Sequence, residues 1–172
     1  MENILFIETR GMNPTGILNA AIARGYHPVI ATVQGDEWRQ RLLEQHIEAT
    51  LLTVPRLAPQ DILAAFPSRP VAVITLSDQY LEIGAEVARQ LDLPHTPVDV
   101  LASCRDKQAT RQLVAATTVK QPAFAKIENL ESLHGVALSE LVGFPLIFKP
   151  LSGHSSLGVH KFYAQSEVDD FF

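Results

Sequence analysis

A lysine that closes an apolar run is the first residue in this sequence that calls for a chemical explanation. Lys149 follows Leu146-Ile147-Phe148 and precedes Pro150, which holds the residue before it in an extended conformation. Its stem can lie on apolar surface, but its ammonium then needs an anion. The competing explanation is an edge strand that carries lysine as a charge against aggregation. Directly behind it comes Ser152-Gly153-His154-Ser155-Ser156-Leu157-Gly158. Gly153 and Gly158 have the G-x-x-x-x-G spacing of a phosphate-binding loop, yet Val159-His160 stand where a P-loop requires Lys-Ser/Thr. Apolar segments lead in and out, so the stretch reads as a glycine-hinged hairpin loop. Its glycines free the backbone, and the Ser155 and Ser156 hydroxyls and backbone N–H groups can donate to phosphate oxygens. His154 reads either as an ordinary loop residue or as a ligand.

Other positions say less. The loop after the first apolar run holds Gly11 and Gly16 but no G-x-G-x-x-G, which weighs against a hydride-transfer enzyme. Ser77 and Asp78 follow the fourth apolar run and could flank a ligand crevice, or Asp78 could simply cap a helix. Charge is unevenly placed. Residues 1–100 carry seven arginines, twelve acids and no lysine. Every lysine (Lys107, Lys120, Lys126, Lys149 and Lys161) lies in residues 101–172. Compact, flexible ammonium groups of this kind suit phosphates.

The elements that must position these groups fall into two regimes. Short apolar runs at residues 3–8, 28–33, 50–54 and 71–76 alternate with helical patterns, the first through Ile17, Leu18, Ala21 and Ile22 with Gly25 placed just past its end, the others at 36–46, 59–66 and 78–91. Trp38, Leu42, Leu43 and Ile47 should share one helix face. Runs so uniformly apolar belong to a parallel sheet covered on both faces, so the fold expected is α/β with an open, Rossmann-like sheet. The pattern changes at His95-Thr96-Pro97. Helices are expected over 97–101, 106–116 and 131–142, with Ala109, Leu113 and Ala116 on one face of the second. Strands are expected over 122–127, 145–150 and 159–163, and a last helix should open at 166 with Ser166 as its cap. The domains are thus drawn at 1–95 and 96–172.

Composition narrows the class. The chain has 172 residues, 47% of them hydrophobic, and a net charge of −5, which argues against a nucleic-acid partner. Its one cysteine, Cys104, excludes an internal disulfide and fits a reducing compartment. Without a basic leader or a membrane-length apolar stretch, the expectation is a cytoplasmic chain with no membrane partner.

Three segments together resemble a known family. They are Cys104-Arg105-Asp106-Lys107-Gln108-Ala109-Thr110-Arg111 with Pro122 beyond it; Gly143-Phe144-Pro145-Leu146-Ile147-Phe148-Lys149-Pro150; and Gly153 to Gly158 followed by Val159. In order and spacing they look like the opening of an ATP-grasp domain, and the preceding α/β unit resembles the domain that comes before it in that superfamily. The resemblance implies a ligase that phosphorylates a carboxylate with ATP and lets an amine displace phosphate from the acyl phosphate. It implies that Lys107 and Lys149 bind ATP phosphates and that Gly153, His154, Ser155, Ser156 and Gly158 fold over them. Arg111 would support the phosphates or form a surface ion pair, while Cys104 and Asp106 would be structural. Mg²⁺ would be needed too, but its acidic ligands in the superfamily lie beyond the glycine loop. Glu167, Asp169 and Asp170 read as helix-start charges, so neither metal ligands nor a catalytic residue is assigned. The chain is accordingly expected to be cut short inside the second domain and inactive alone. Phe162, Phe171 and Phe172 would then be exposed or meet a second copy as a homo-oligomer. The alternative is a non-catalytic, Rossmann-like module for a small ligand or nucleotide.

Overall fold

The computed structural model describes residues 1–8, 14–66, 68–129, 138–153 and 156–172. The chain divides into two compact units, Met1–Leu101 and Ala102–Phe172.

The first unit is a parallel sheet between helices. Strands β1 (Glu2–Ile7), β2 (Tyr26–Thr32), β3 (Thr50–Thr53) and β4 (Ala72–Thr75) run in the order β3-β2-β1-β4, all parallel. Helices α1 (Pro14–Ala23), α2 (Gly35–Glu44) and α3 (Pro59–Ala65) supply the three crossovers, and α4 (Leu81–Gln90) follows the last strand. The two-residue period of a strand explains the layering. Ile4 and Phe6 of β1 pack with Leu18, Ile30 and Trp38 on one face, whereas Leu5 and Ile7 pack with Val29, Ile62 and Val87 on the other. Strand order reverses at β1, which lies between β2 and β4, so the ends of β1 and β4 flank the crevice such folds use for ligands. At Gly84 of α4 an added Cβ would lie 2.5 Å from Cγ2 of Thr75, so the close seat of α4 on β4 requires glycine.

Several details differ from the sequence expectation. Leu43 is 70% exposed, because Trp38 and Leu42 set the buried side of α2 and the next residue is rotated by about 100°. Asp78 begins a short 3₁₀ turn, Asp78–Tyr80, and Ser77 is the capping position, without a side-chain cap bond.

The second unit contains α5 (Val98–Arg105, which begins in the first unit), α6 (Lys107–Ala115), α7 (Leu138–Leu141), the strands β5 (Leu146–Phe148) and β6 (His160–Phe162), and α8 (Gln165–Phe171). β5 and β6 pair antiparallel, with Leu146 opposite Phe162 and Phe148 opposite His160. Their inward side chains join Leu138 and Val168 in a small core. Residues 122–127, expected as a strand, carry none: a strand exists by its ladder, and β5 and β6 pair with each other alone among the described residues. Leu113 is 62% exposed, so the expected apolar face of α6 is uncovered. Phe162 is buried in the small core, whereas Phe171 and Phe172 are exposed in part and stack edge-on at 4.9 Å. Ala164, not Ser166, caps α8, two residues earlier than expected, and the Glu167 carboxylate reaches back to accept from the Tyr163 N–H at 2.8 Å. Of the helix expected over 131–142, residues 131–137 lie outside the described residues. Among the described residues no helix is long and apolar enough to cross a membrane.

Candidate functional site

The second unit encloses a cavity of about 560 Å³, a size within the usual range for small-molecule sites. Its wall combines apolar side chains (Phe124, Ile127 and Phe148 among them) with the cations Lys107, Arg111, Lys126 and Lys149, and among the described residues its one acidic wall residue is Glu128. Glu128 is held by Lys126 over 2.9 Å. Three cations are thus left to attract an anion.

Each part of this wall has a local cause. Asp106 caps α6, accepting from the N–H groups of Gln108 at 2.7 Å and Ala109 at 2.9 Å. The Thr110 hydroxyl donates to the carbonyls of Ser103 at 2.9 Å and Asp106 at 3.0 Å, so the bend between α5 and α6 is tied down from within. That bend sets Lys107 at the first turn of α6. There its backbone N–H and its ammonium both donate to the Leu151 carbonyl, at 3.1 Å and 3.2 Å, across 44 positions of sequence. Leu151 lies two residues past Lys149, so Lys107 and Lys149 reach the same cavity from well-separated parts of the unit's sequence. Lys149 is exposed, just beyond β5, and among the described residues its ammonium has no hydrogen-bond or ion-pair partner.

Of the residues singled out from the sequence, Lys107, Lys149 and Gly158 line this cavity, and Arg111 does too. Gly153 and Ser156 lie on the connection between β5 and β6 but do not line it. His154 and Ser155 lie outside the described residues. Gly158 has φ +69°, and a Cβ there would stand 3.1 Å from Cγ of Pro150, so this glycine has a structural cause as well. Sequence inspection missed the Leu151 carbonyl, which carries no side-chain signal. It also missed the apolar wall residues Phe124 and Ile127, whose composition points to a strand.

The first unit holds a second polar feature. Glu8, at the end of β1 with φ +39°, is fully buried and accepts from the Thr32 hydroxyl at 2.7 Å and the Trp38 indole N–H at 3.4 Å. Residues 9–13, which follow it and include Gly11, lie outside the described residues.

No protein-family model matches the chain. D-alanine–D-alanine ligase A of Bacillus cereus is 27% identical over 143 residues, which is 81% of this chain and 46% of that protein. Among solved structures, the L-amino acid ligase of Bacillus licheniformis superposes with a TM-score of 0.71 at 19% identity, covering 99% of this chain and 41% of the other. An N5-carboxyaminoimidazole ribonucleotide synthetase in complex with ADP gives a TM-score of 0.75 at 13% identity, with 99% and 43% covered. By sequence the relatives of this chain are D-alanine–D-alanine ligases, and its fold is that of the ATP-grasp ligases. The chain spans less than half the length of the relatives it matches.

Proposed function

We propose that this chain is part of an ATP-dependent carboxylate–amine ligase, and that its second unit binds the nucleotide. The observation that carries the proposal is the convergence of Lys107 and Lys149 on one cavity with an apolar wall and an excess of cations. A purine is flat and weakly polar and a triphosphate is strongly anionic, so the two halves of such a ligand match the two kinds of wall. Phosphoryl transfer demands little covalent work of a protein; positioning and charge neutralisation dominate. Lys149 supplies an unpaired ammonium for a phosphate, and Lys107 supplies a second from α6. In the complete reaction the substrate carboxylate takes the γ-phosphoryl group as an acyl phosphate, and the amine then displaces phosphate. Relatives by sequence and one by structure are ligases named for amino acids, so an amino acid is the first substrate class to test.

Mg²⁺ would accompany ATP in this chemistry, but the described residues do not fit it. Among them no three acidic, histidine or cysteine side chains form a metal-binding group. Glu128 pairs with Lys126, Glu167 accepts from the Tyr163 N–H at 2.8 Å, and Asp169 accepts from Gln165 at 2.9 Å. With these carboxylates engaged elsewhere, the 172 residues alone are expected to bind nucleotide without turning it over. Calorimetric titration of ATP into the chain tests the proposal. Saturable binding, lost on replacing Lys149, supports it; no binding at millimolar ATP overturns it.

A further inference from the structure

The Leu151 carbonyl accepts two hydrogen bonds from a single residue, the backbone N–H of Lys107 at 3.1 Å and its ammonium at 3.2 Å. The two bonds are chemically unequal. The first is a neutral backbone contact that ties the start of α6 to the segment behind Lys149. The second spends a mobile cation on a neutral oxygen, and charge-assisted bonds to an anionic oxygen are roughly twice as strong as neutral ones. Lys107 also lines the cavity, so an anion bound there lies within reach of the same ammonium.

We propose that Lys107 is a positioning residue as well as a phosphate ligand: its ammonium is parked on the Leu151 carbonyl and is handed over to a phosphate oxygen when nucleotide binds. The backbone bond from Lys107 to Leu151 stays in place throughout and keeps register between α6 and the segment carrying Lys149. The carbonyl therefore goes from two donors to one, and the segment from Lys149 to Gly153 gains freedom at the moment its own lysine meets the ligand. Asp106 and Thr110 make the exchange possible by fixing the first turn of α6, so that only the Lys107 side chain has to move. The inference rests on the proposed nucleotide site.

Carbonyl ¹³C NMR of the isotopically labelled 172-residue chain tests it. In the absence of ligand, Lys107→Met should shift the Leu151 carbonyl in the direction of a lost hydrogen bond while leaving Leu138 and Phe162 in place. ATP added to the wild-type chain should shift Leu151 in that same direction, together with the Lys107 side-chain carbons and at the same half-saturation. ATP added to Lys107→Met should leave Leu151 where it is. A Leu151 resonance unmoved by Lys107→Met overturns the parked contact. Binding of ATP by calorimetry with Leu151 unmoved overturns the handover and leaves the nucleotide site standing. Absence of ATP binding overturns both. Should Lys107→Met fail to fold, the wild-type titration decides alone, since the handover requires Lys107 and Leu151 to move together.

Discussion

The Thr32 hydroxyl donates a 2.7 Å hydrogen bond to the Glu8 carboxyl group at the ends of two adjacent parallel strands, with both side chains buried. Thr32 also receives the Gln34 N–H at 2.9 Å, so it links the end of β1 to the start of α2. Thr32→Val keeps the shape and removes both bonds. Stability should fall by about 1–3 kcal/mol, the cost of leaving a buried polar group short of a partner. Urea denaturation followed at Trp38 measures it, and a loss of under a few tenths would show the network to be slack.

Gly158 makes a separate prediction, because its φ of +69° and its approach to Pro150 are distinct constraints. Gly158→Ala should cost about 1–2 kcal/mol from the left-handed backbone alone. Adding Pro150→Ala should recover only the part due to the 3.1 Å contact. Melting temperatures of the single and double variants separate the two, and full recovery in the double variant would exclude the backbone cause.

Lys149 should behave in the opposite way. Its side chain is exposed and has no partner among the described residues, so Lys149→Ala should leave the melting temperature unchanged. ATP affinity should drop about 10- to 150-fold, the equivalent of one charge-assisted contact of about 1.5–3 kcal/mol. A lowered melting temperature with unchanged ATP affinity would return Lys149 to the role of an edge charge.

Acid sensitivity of the first unit should include Glu86. Hydrogen bonds from Arg89 and from Gln90 hold its carboxyl down from its ordinary value of 4.5 to about 2. A lowered folded-state value means that the carboxylate stabilises the fold above pH 4.5 and that this contribution fades as the pH falls towards 2. Wild type and Glu86→Gln should therefore differ in stability at neutral pH and converge near pH 2. Salt should shrink the difference throughout, since the pair is solvent-accessible. Equal stability at neutral pH and low salt would refute the coupling.

Sequence and structure agree best where a single physical rule decides the outcome. The continuous apolar runs around Leu5, Val29 and Val73 could only be strands covered on both faces, and they form the parallel sheet. Lys149 stood out because a cation that closes an apolar run needs a reason, whereas Lys107, in a polar run, entered only through the resemblance; both line the cavity. What escaped depends on partners distant in sequence. The segment around Phe124 has strand-like composition but no ladder neighbour among the described residues, and composition cannot supply one. The burial of Glu8 depends on Thr32 and Trp38, which arrive from β2 and α2. The acceptor shared by both Lys107 donors is a backbone oxygen, invisible in any residue type.

The burial of Trp38 against Glu8 has a practical side. It is the only tryptophan in the chain and sits in the first unit, whereas every lysine falls in the second. Indole emission therefore reports on Met1–Leu101 alone, and amine-directed labelling reports on Ala102–Phe172 apart from the chain's own terminus. The two units carry separate optical and chemical signatures without any engineered probe. Whether they melt together or one after the other can be read from one unmodified sample, by following quenching and lysine modification along the same temperature ramp.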